Sequence, residues 1–208
     1  VMAMLAYPLS RPNYKYKKIA TFFIFFTMLF SGGLIPTYIW ITRYLHLGDT
    51  IWVYILPCLV NAFHVIVIRS FFQGLPQALM ESAKIDGASE LQTFFKIVMP
   101  LSKPVIATIS LLTLLSRWND WNTALIYIKS SNLYSLQYLL QKILREAEFV
   151  KNMAESSPVA GVDLDLSNLP SVTIRFAMCM VAAGPMLIIF PFFQKYFDEG
   201  IMVGSVKG

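Results

Sequence analysis

Four apolar runs dominate the chain, approximately Ile19 to Trp40, Ile51 to Phe72, Leu101 to Ile128 and Ser171 to Phe193. About 20 apolar residues are needed to cross roughly 30 Å of hydrocarbon as a helix. In lipid every backbone N–H and C=O must be bonded inside its own segment, which leaves helices as the economical solution. The fold class is therefore an all-α, polytopic transmembrane bundle. The balance of 56% hydrophobic to 14% charged residues is far from that of an average soluble domain. Gly32-Gly33 with Pro36, and Gly184-Pro185 with Pro191, predict kinks in the first and last runs.

Charge orients the runs, because Lys and Arg of short loops stay cytoplasmic. One side collects Arg11, Lys15, Lys17, Lys18, Arg69, Lys84, Lys96, Lys103, Lys195 and Lys207; the other collects Arg43, Lys129, Lys142, Arg145 and Lys151. Arg117 and Arg175 stay inside the spans. The polar interval between the second and third runs, and the C-terminus, are thus expected in the cytoplasm. The net charge of +5 is explained by this asymmetry and needs no nucleic acid, for which no basic-aromatic groove pattern exists. Cys58 and Cys179 fall in apolar runs, where burial is the expectation; neither a disulfide nor a metal site is predicted.

The longest polar interval on the basic side, about residues 75–104, reads as two short helices. Pro76 suits a first helical turn, Asp86-Gly87 a helix end, and Ser89 a cap for the second helix. Glu81, Ser82, Ala83, Asp86, Gly87, Ala88, Phe94, Ile97, Pro100 and Leu101 stand at the offsets of one long pattern. That pattern resembles the EAA loop of ABC importer permeases, with Ser82 where the family usually has the first Ala. The resemblance implies a coupling loop that docks in a cleft of a cytoplasmic ATPase subunit. Glu81, Ser82, Ala83, Asp86, Gly87, Ala88, Phe94 and Pro100 would then be the coupling residues. Leu79, Met80, Ile85 and Phe94 could fill an apolar groove there.

The ending Gln194-Lys195-Tyr196-Phe197 with Gly204-Ser205-Val206-Lys207-Gly208 is similar to the C-terminus of carbohydrate-type ABC permeases. Tyr7-Pro8-Leu9-Ser10-Arg11 resembles the cytoplasmic turn after their second span. Residues 1–208 then form a single permease domain whose earlier spans are expected to be missing. The resemblance further implies a second permease subunit, identical or not, two ATPase subunits and an extracytoplasmic solute-binding protein. The setting would be a bacterial cytoplasmic membrane. The chain has no G-x-x-x-x-G-K-[ST] loop, so it is read as not itself an enzyme, with ATP and magnesium held by the partner ATPases.

A substrate path needs polar groups within the spans. Arg117, Trp118, Asn119, Asp120, Trp121 and Asn122 fall in the outer part of the third run, with Arg117 roughly 24 Å along a helix counted from Leu101. Charges at such depth usually face protein or water. The tryptophans offer flat faces for sugar rings, or else anchor the interface while Arg117 and Asp120 form a structural pair. Asn61 and His64 are the polar members of the second run; Arg175 opens the last and either snorkels or points inward. The outer segment, about 129–170, begins with apolar residues at Leu133, Leu136, Leu139, Leu140, Ile143 and Leu144. That is the spacing of an amphipathic helix, which packs on its own subunit, on the membrane, over the translocation mouth or on an external partner. Ser156 to Pro170, with Asp163 and Asp165, reads as an acidic loop.

The function expected is ATP-driven import of sugars, an oligosaccharide first, with uronates as the acidic alternative to a neutral glycan. An ion-coupled secondary transporter would want ionisable groups at mid-membrane, where only His64 qualifies, with no acid beside it. A non-transporting scaffold subunit would need no path at all.

Overall fold

In the computed structural model the backbone of residues 1–156 and 171–205 is described, and all regular structure among these residues is helical. In chain order the α-helices are α1 (Met2–Ser10), α2 (Lys17–Leu29), α3 (Leu34–Ile39), α4 (Trp52–Ile55), α5 (Ala62–Gln73) and α6 (Gln77–Ile85). Then come α7 (Glu90–Thr93), α8 (Met99–Leu101), α9 (Lys103–Trp118), α10 (Asn122–Tyr127), α11 (Leu136–Ser156) and α12 (Ser171–Ser205). π-helical turns at Trp40–Tyr44 and Phe94–Val98 extend α3 and join α7 to α8.

Among the described residues, only the stretch Phe176–Gln194 of α12 is a single helix long and apolar enough to cross a bilayer alone. The other apolar runs fall on bent pairs of helices. Lys17–Leu29 and Leu34–Tyr44 meet at 113°, Trp52–Cys58 and Ala62–Gln73 at 44°. The first bend is the kink expected at Gly32-Gly33, and Gly33 takes φ +82 as the residue before α3. The second was not legible as a kink: Pro57 sits in a 3-10 turn, and the Asn61 side chain accepts the His64 amide to start α5 afresh. In the last run Pro185 and Pro191 are carried inside one uninterrupted helix, α12.

The third run needs a larger correction. Instead of one span from Leu101 to Ile128, α9 bends 78° away from Glu90–Leu101 at Ser102, and it stops at Trp118. The Asp120 carboxylate takes the Thr123 amide at 3.0 Å, which ends one helix and begins the next. Asn119, Asp120 and Trp121 therefore form a turn rather than a helix face. Their backbone groups are satisfied locally, with Asp120 N–H bonded to Arg117 O.

Two clusters hold the bundle. Ala6, Tyr7 and Leu9 of α1 interlock with Val65, Ile68 and Phe72 of α5, with Phe94 and Val98, and with Val105 and Ile109 of α9. At the opposite end Ile41, Val53 and Ile128 pack with Tyr54, Tyr127 and Leu133 around them. Between helices in lipid the gain comes from close packing and bonded polar groups rather than from leaving water. The amphipathic helix starts later than the first apolar position, since Leu133 lies in a 3-10 turn, and α11 packs on α10 and α12 of its own subunit. Cys58 is half-buried, but Cys179 is exposed, against the expectation of burial. The acidic loop with Asp163 and Asp165 lies outside the described residues.

Candidate functional site

The two-helix loop is built by local bonds. At the end of α6 the Ala88 amide reaches Ala83 O at 2.9 Å and the Gly87 amide reaches Lys84 O at 3.2 Å. These are the paired bonds of a Schellman cap, which puts the residue between them in the left-handed region; Gly87 is there at φ +77. Two residues on, Ser89 Oγ accepts the Gln92 amide while Gln92 Oε1 accepts the Ser89 amide, a complete capping box. Pro76 stands just before α6 rather than within its first turn. The knob is fixed almost wholly by residues within five positions of one another.

Its two faces differ. Ile85 is 86% exposed, and Leu79, Glu81, Ser82, Asp86 and Pro100 are exposed with it. Phe94, expected among the groove-filling side chains, is 3% exposed and sits 5.0 Å from the Tyr7 ring. It faces the bundle, where it packs in the cluster that holds Tyr7 and Phe72. Ala83 is buried and Ala88 half-buried; Met80 also turns inward, against Arg11. The Tyr7 hydroxyl donates to Glu90 Oε2 at 2.7 Å and receives the Arg11 guanidinium, while Arg69 Nε donates to Leu9 O at 3.1 Å. Between knob and bundle lies a cavity of about 680 Å³ lined by Arg11, Gln73, Gln77, Glu81, Lys84 and Glu90. Neither Tyr7, read only as part of a cytoplasmic turn, nor Glu90 was expected among the coupling residues; Tyr7 lies 83 positions from its partner.

The polar residues of the second and third runs come together from separate elements. Arg117 Nη1 lies 3.0 Å from Asp120 Oδ2 and donates to Cys58 Sγ at 2.7 Å, while Nη2 reaches Ser116 Oγ at 3.4 Å. Asp120 also accepts the Thr123 hydroxyl at 2.7 Å. One turn below Arg117 on the same face, Thr113 Oγ1 stands 3.5 Å from His64 Nδ1. The break in the second span thus lies beside the face of α9 that carries Thr113 and Arg117. Asn61 is spent on capping α5.

The tryptophans have fixed partners. Trp118 Nε1 donates to Ala182 O of α12 at 2.8 Å, and the Arg145 guanidinium of α11 lies 5.2 Å from the Trp121 ring centre. Trp121 and Arg145 line a small hollow of about 120 Å³ with Tyr138 and Lys142. Asn119 bonds back to Leu115 O and is exposed, as is Asn122. The side chain of Arg175 lies outside the described residues. Sequence reading missed Cys58, Thr113, Thr123 and Arg145 as members of this site. Thr113 alone carried a signal, its four-residue spacing from Arg117. No group of three or more metal-ligating side chains occurs among the described residues.

Known proteins are similar to this chain over most of its length. The family model described as binding-protein-dependent transport system inner membrane component matches residues 1–203. The polygalacturonan/rhamnogalacturonan transport system permease protein YtcP of Bacillus subtilis (strain 168) is 42% identical, over 99% of this chain and 70% of its own length. Protein LplC of the same organism is 42% identical over 98% of this chain and 66% of its own. The chain thus spans about two thirds of these relatives. A crystal structure of a bacterial ABC transporter involved in the import of the acidic polysaccharide alginate superposes with a TM-score of 0.77 at 30% identity, covering 95% of this chain and 67% of that one. A helical bundle, a Schellman-capped knob at one end and a match over nearly the whole chain agree: the chain belongs to the family of binding-protein-dependent transport system inner membrane components, polytopic membrane permeases that are not themselves catalytic.

Proposed function

We propose that this chain is the membrane-spanning subunit of an ATP-driven, binding-protein-dependent importer of oligosaccharides, acidic ones foremost. The observation that carries the reading is the two-faced knob. Ile85 and Glu81 are presented outward, while Phe94 and Glu90 are fastened to α1. A rigid element with one face for a partner and one for the bundle passes a partner's displacement to the spans. The partner is an ATPase pair that holds ATP and magnesium, a reading supported by the absence of any phosphate-cradling loop in the sequence. A second permease subunit and an extracytoplasmic solute-binding protein complete the assembly. The knob and the C-terminus face the cytoplasm of a bacterial cell, as the lysine and arginine distribution supports.

The acidic substrate class draws on the relatives named for polygalacturonan/rhamnogalacturonan and on the alginate importer. Galacturonan is a polymer of a uronic acid, and a guanidinium holds a carboxylate through paired hydrogen bonds. Arg117 is paired with a 13% exposed Asp120, yet at 42% exposure it is still accessible.

Two measurements test this. Ile85→Asp should weaken capture of the ATPase subunits by the detergent-solubilised permease pair about tenfold, roughly the loss of one buried anchor, without lowering the permease melting temperature. Unchanged capture would refute the docking face. Substrate-stimulated ATPase activity of the whole complex, with its binding protein, should favour a uronate oligomer over its neutral counterpart, and Arg117→Gln should narrow that preference. A neutral glycan that works better, with Arg117→Gln without effect, would refute the acidic reading.

A further inference from the structure

We propose that the groove between the start of α2 and the end of α5 is a binding site for one anionic phospholipid of the cytoplasmic leaflet. The choice of leaflet rests on the proposed cytoplasmic orientation of the knob. Lys17 and Lys18 of α2 and Arg69 of α5 line an open hollow of about 700 Å³, whose far wall is Phe22 and Phe25. No ion pair or side-chain hydrogen bond engages Lys17 or Lys18 among the described residues, and α2 has no acidic residue in its first turn.

Two cations at the positive end of a 13-residue helix repel its dipole, an arrangement that an anion between them relieves. Arg69 is held for the same task. Its Nε is committed to Leu9 O at 3.1 Å, which fixes the guanidinium and leaves its terminal nitrogens without a partner among the described residues.

The apolar wall decides which anion. Phe22 and Phe25 are exposed and continue into the exposed Phe23 and Phe26 of α2. A soluble phosphate gains nothing from phenylalanines one turn beyond its charge. A phospholipid places its phosphate among the cations and its first methylenes on the rings. Basic pockets between transmembrane helices on the cytoplasmic side bind anionic headgroups in this way, with each Lys or Arg near the surface contributing a comparable share.

The test uses the complete transporter in nanodiscs of phosphatidylcholine and phosphatidylglycerol in equal parts, with retained lipid counted by native mass spectrometry. Lys17→Gln/Lys18→Gln/Arg69→Gln should lower retained phosphatidylglycerol at least about tenfold, and the single change Lys18→Gln, on an exposed side chain, about fivefold. The charge-matched set Arg43→Gln/Lys129→Gln/Lys142→Gln should leave it unchanged. Equal losses in both sets, retention of phosphatidylcholine in equal amount, or displacement of the lipid by inorganic phosphate would each overturn the proposal. Orientation is read separately: a membrane-impermeant maleimide should reach Lys18→Cys only from the cytoplasmic side. Labelling only from outside would refute the leaflet whatever the lipid count.

Discussion

The Tyr7 hydroxyl donates a 2.7 Å hydrogen bond to Glu90 Oε2, joining α1 to the first residue of α7 across 83 positions of sequence. The Tyr7 ring lies edge-on to Phe72 of α5 at 6.5 Å and 5.0 Å from Phe94, so the bond is anchored in the bundle core. It is the polar tie between knob and spans. Tyr7→Phe keeps the ring packing and deletes both this bond and the one from Arg11. A hydrogen bond to a charged group contributes about 1.5 kcal/mol at the low end, where an exposed partner such as Glu90 belongs. The expected result is transported substrate per ATP lowered severalfold, at ATPase activity close to normal. A transport-to-hydrolysis ratio identical to wild type would remove Tyr7–Glu90 from the coupling path.

Gly87 has open space around the position of a Cβ, so its replacement costs conformation only, at φ +77. Gly87→Val should cost about 1–3 kcal/mol at the knob, uncoupling hydrolysis from transport while the spans stay folded. Gly87→Asn, which tolerates the left-handed region, should retain most transport. Equal activity of the two variants would show that the turn conformation does not matter.

Asp120 and Arg117 form one pair but carry unequal loads. Asp120 also accepts the Thr123 amide and hydroxyl, whereas Arg117 retains Cys58 and Ser116 as partners. Asp120→Ala should therefore destabilise the solubilised complex by about 1–2 kcal/mol, through the loss of a cap and an ion-pair partner. Arg117→Gln should cost well under half of that. Thermal melts of the two variants in the same detergent give the comparison, and an inverted order would contradict the geometry.

Asp49 ties the α3–α4 loop to the start of the outer segment. Its carboxylate accepts the Ser130 hydroxyl at 2.6 Å and the amides of Ser130 and Lys129 at 2.8 and 2.9 Å. The hydroxyl first, then the amides, stabilise the carboxylate and hold its pKa below the ordinary carboxylate range. A depressed carboxylate contributes stability that is present above the unfolded-state value, about 3.9, and lost as pH falls through the folded-state value. Asp49→Asn, a residue that tolerates the φ of +56 found here, should melt lower than wild type at neutral pH. The gap should close below about pH 4. A gap independent of pH would mean that the carboxylate charge plays no part.

What the residues determined unaided is what neighbours in sequence can enforce. The class comes from run length, since a bilayer accepts few structures. The knob comes from its caps: Gly87 and the Ser89/Gln92 pair satisfy amides within five positions, so they act the same way in any context. Packing decided the rest. Phe94 turned inward because Tyr7 and Phe72 supplied a place for it, and no local signal says which side of a short helix pair faces the bundle. The third run ended at Trp118 because Asp120 bonds Thr123 and Arg117, while hydropathy reads straight through that turn. Cys58 met Arg117 and His64 met Thr113 only through the approach of the broken second span to α9, across 59 positions for Cys58 and Arg117. Helix caps are short-range chemistry and can be read from a string. Which helix face meets which depends on the fit of all the helices at once, and only the folded bundle contains it.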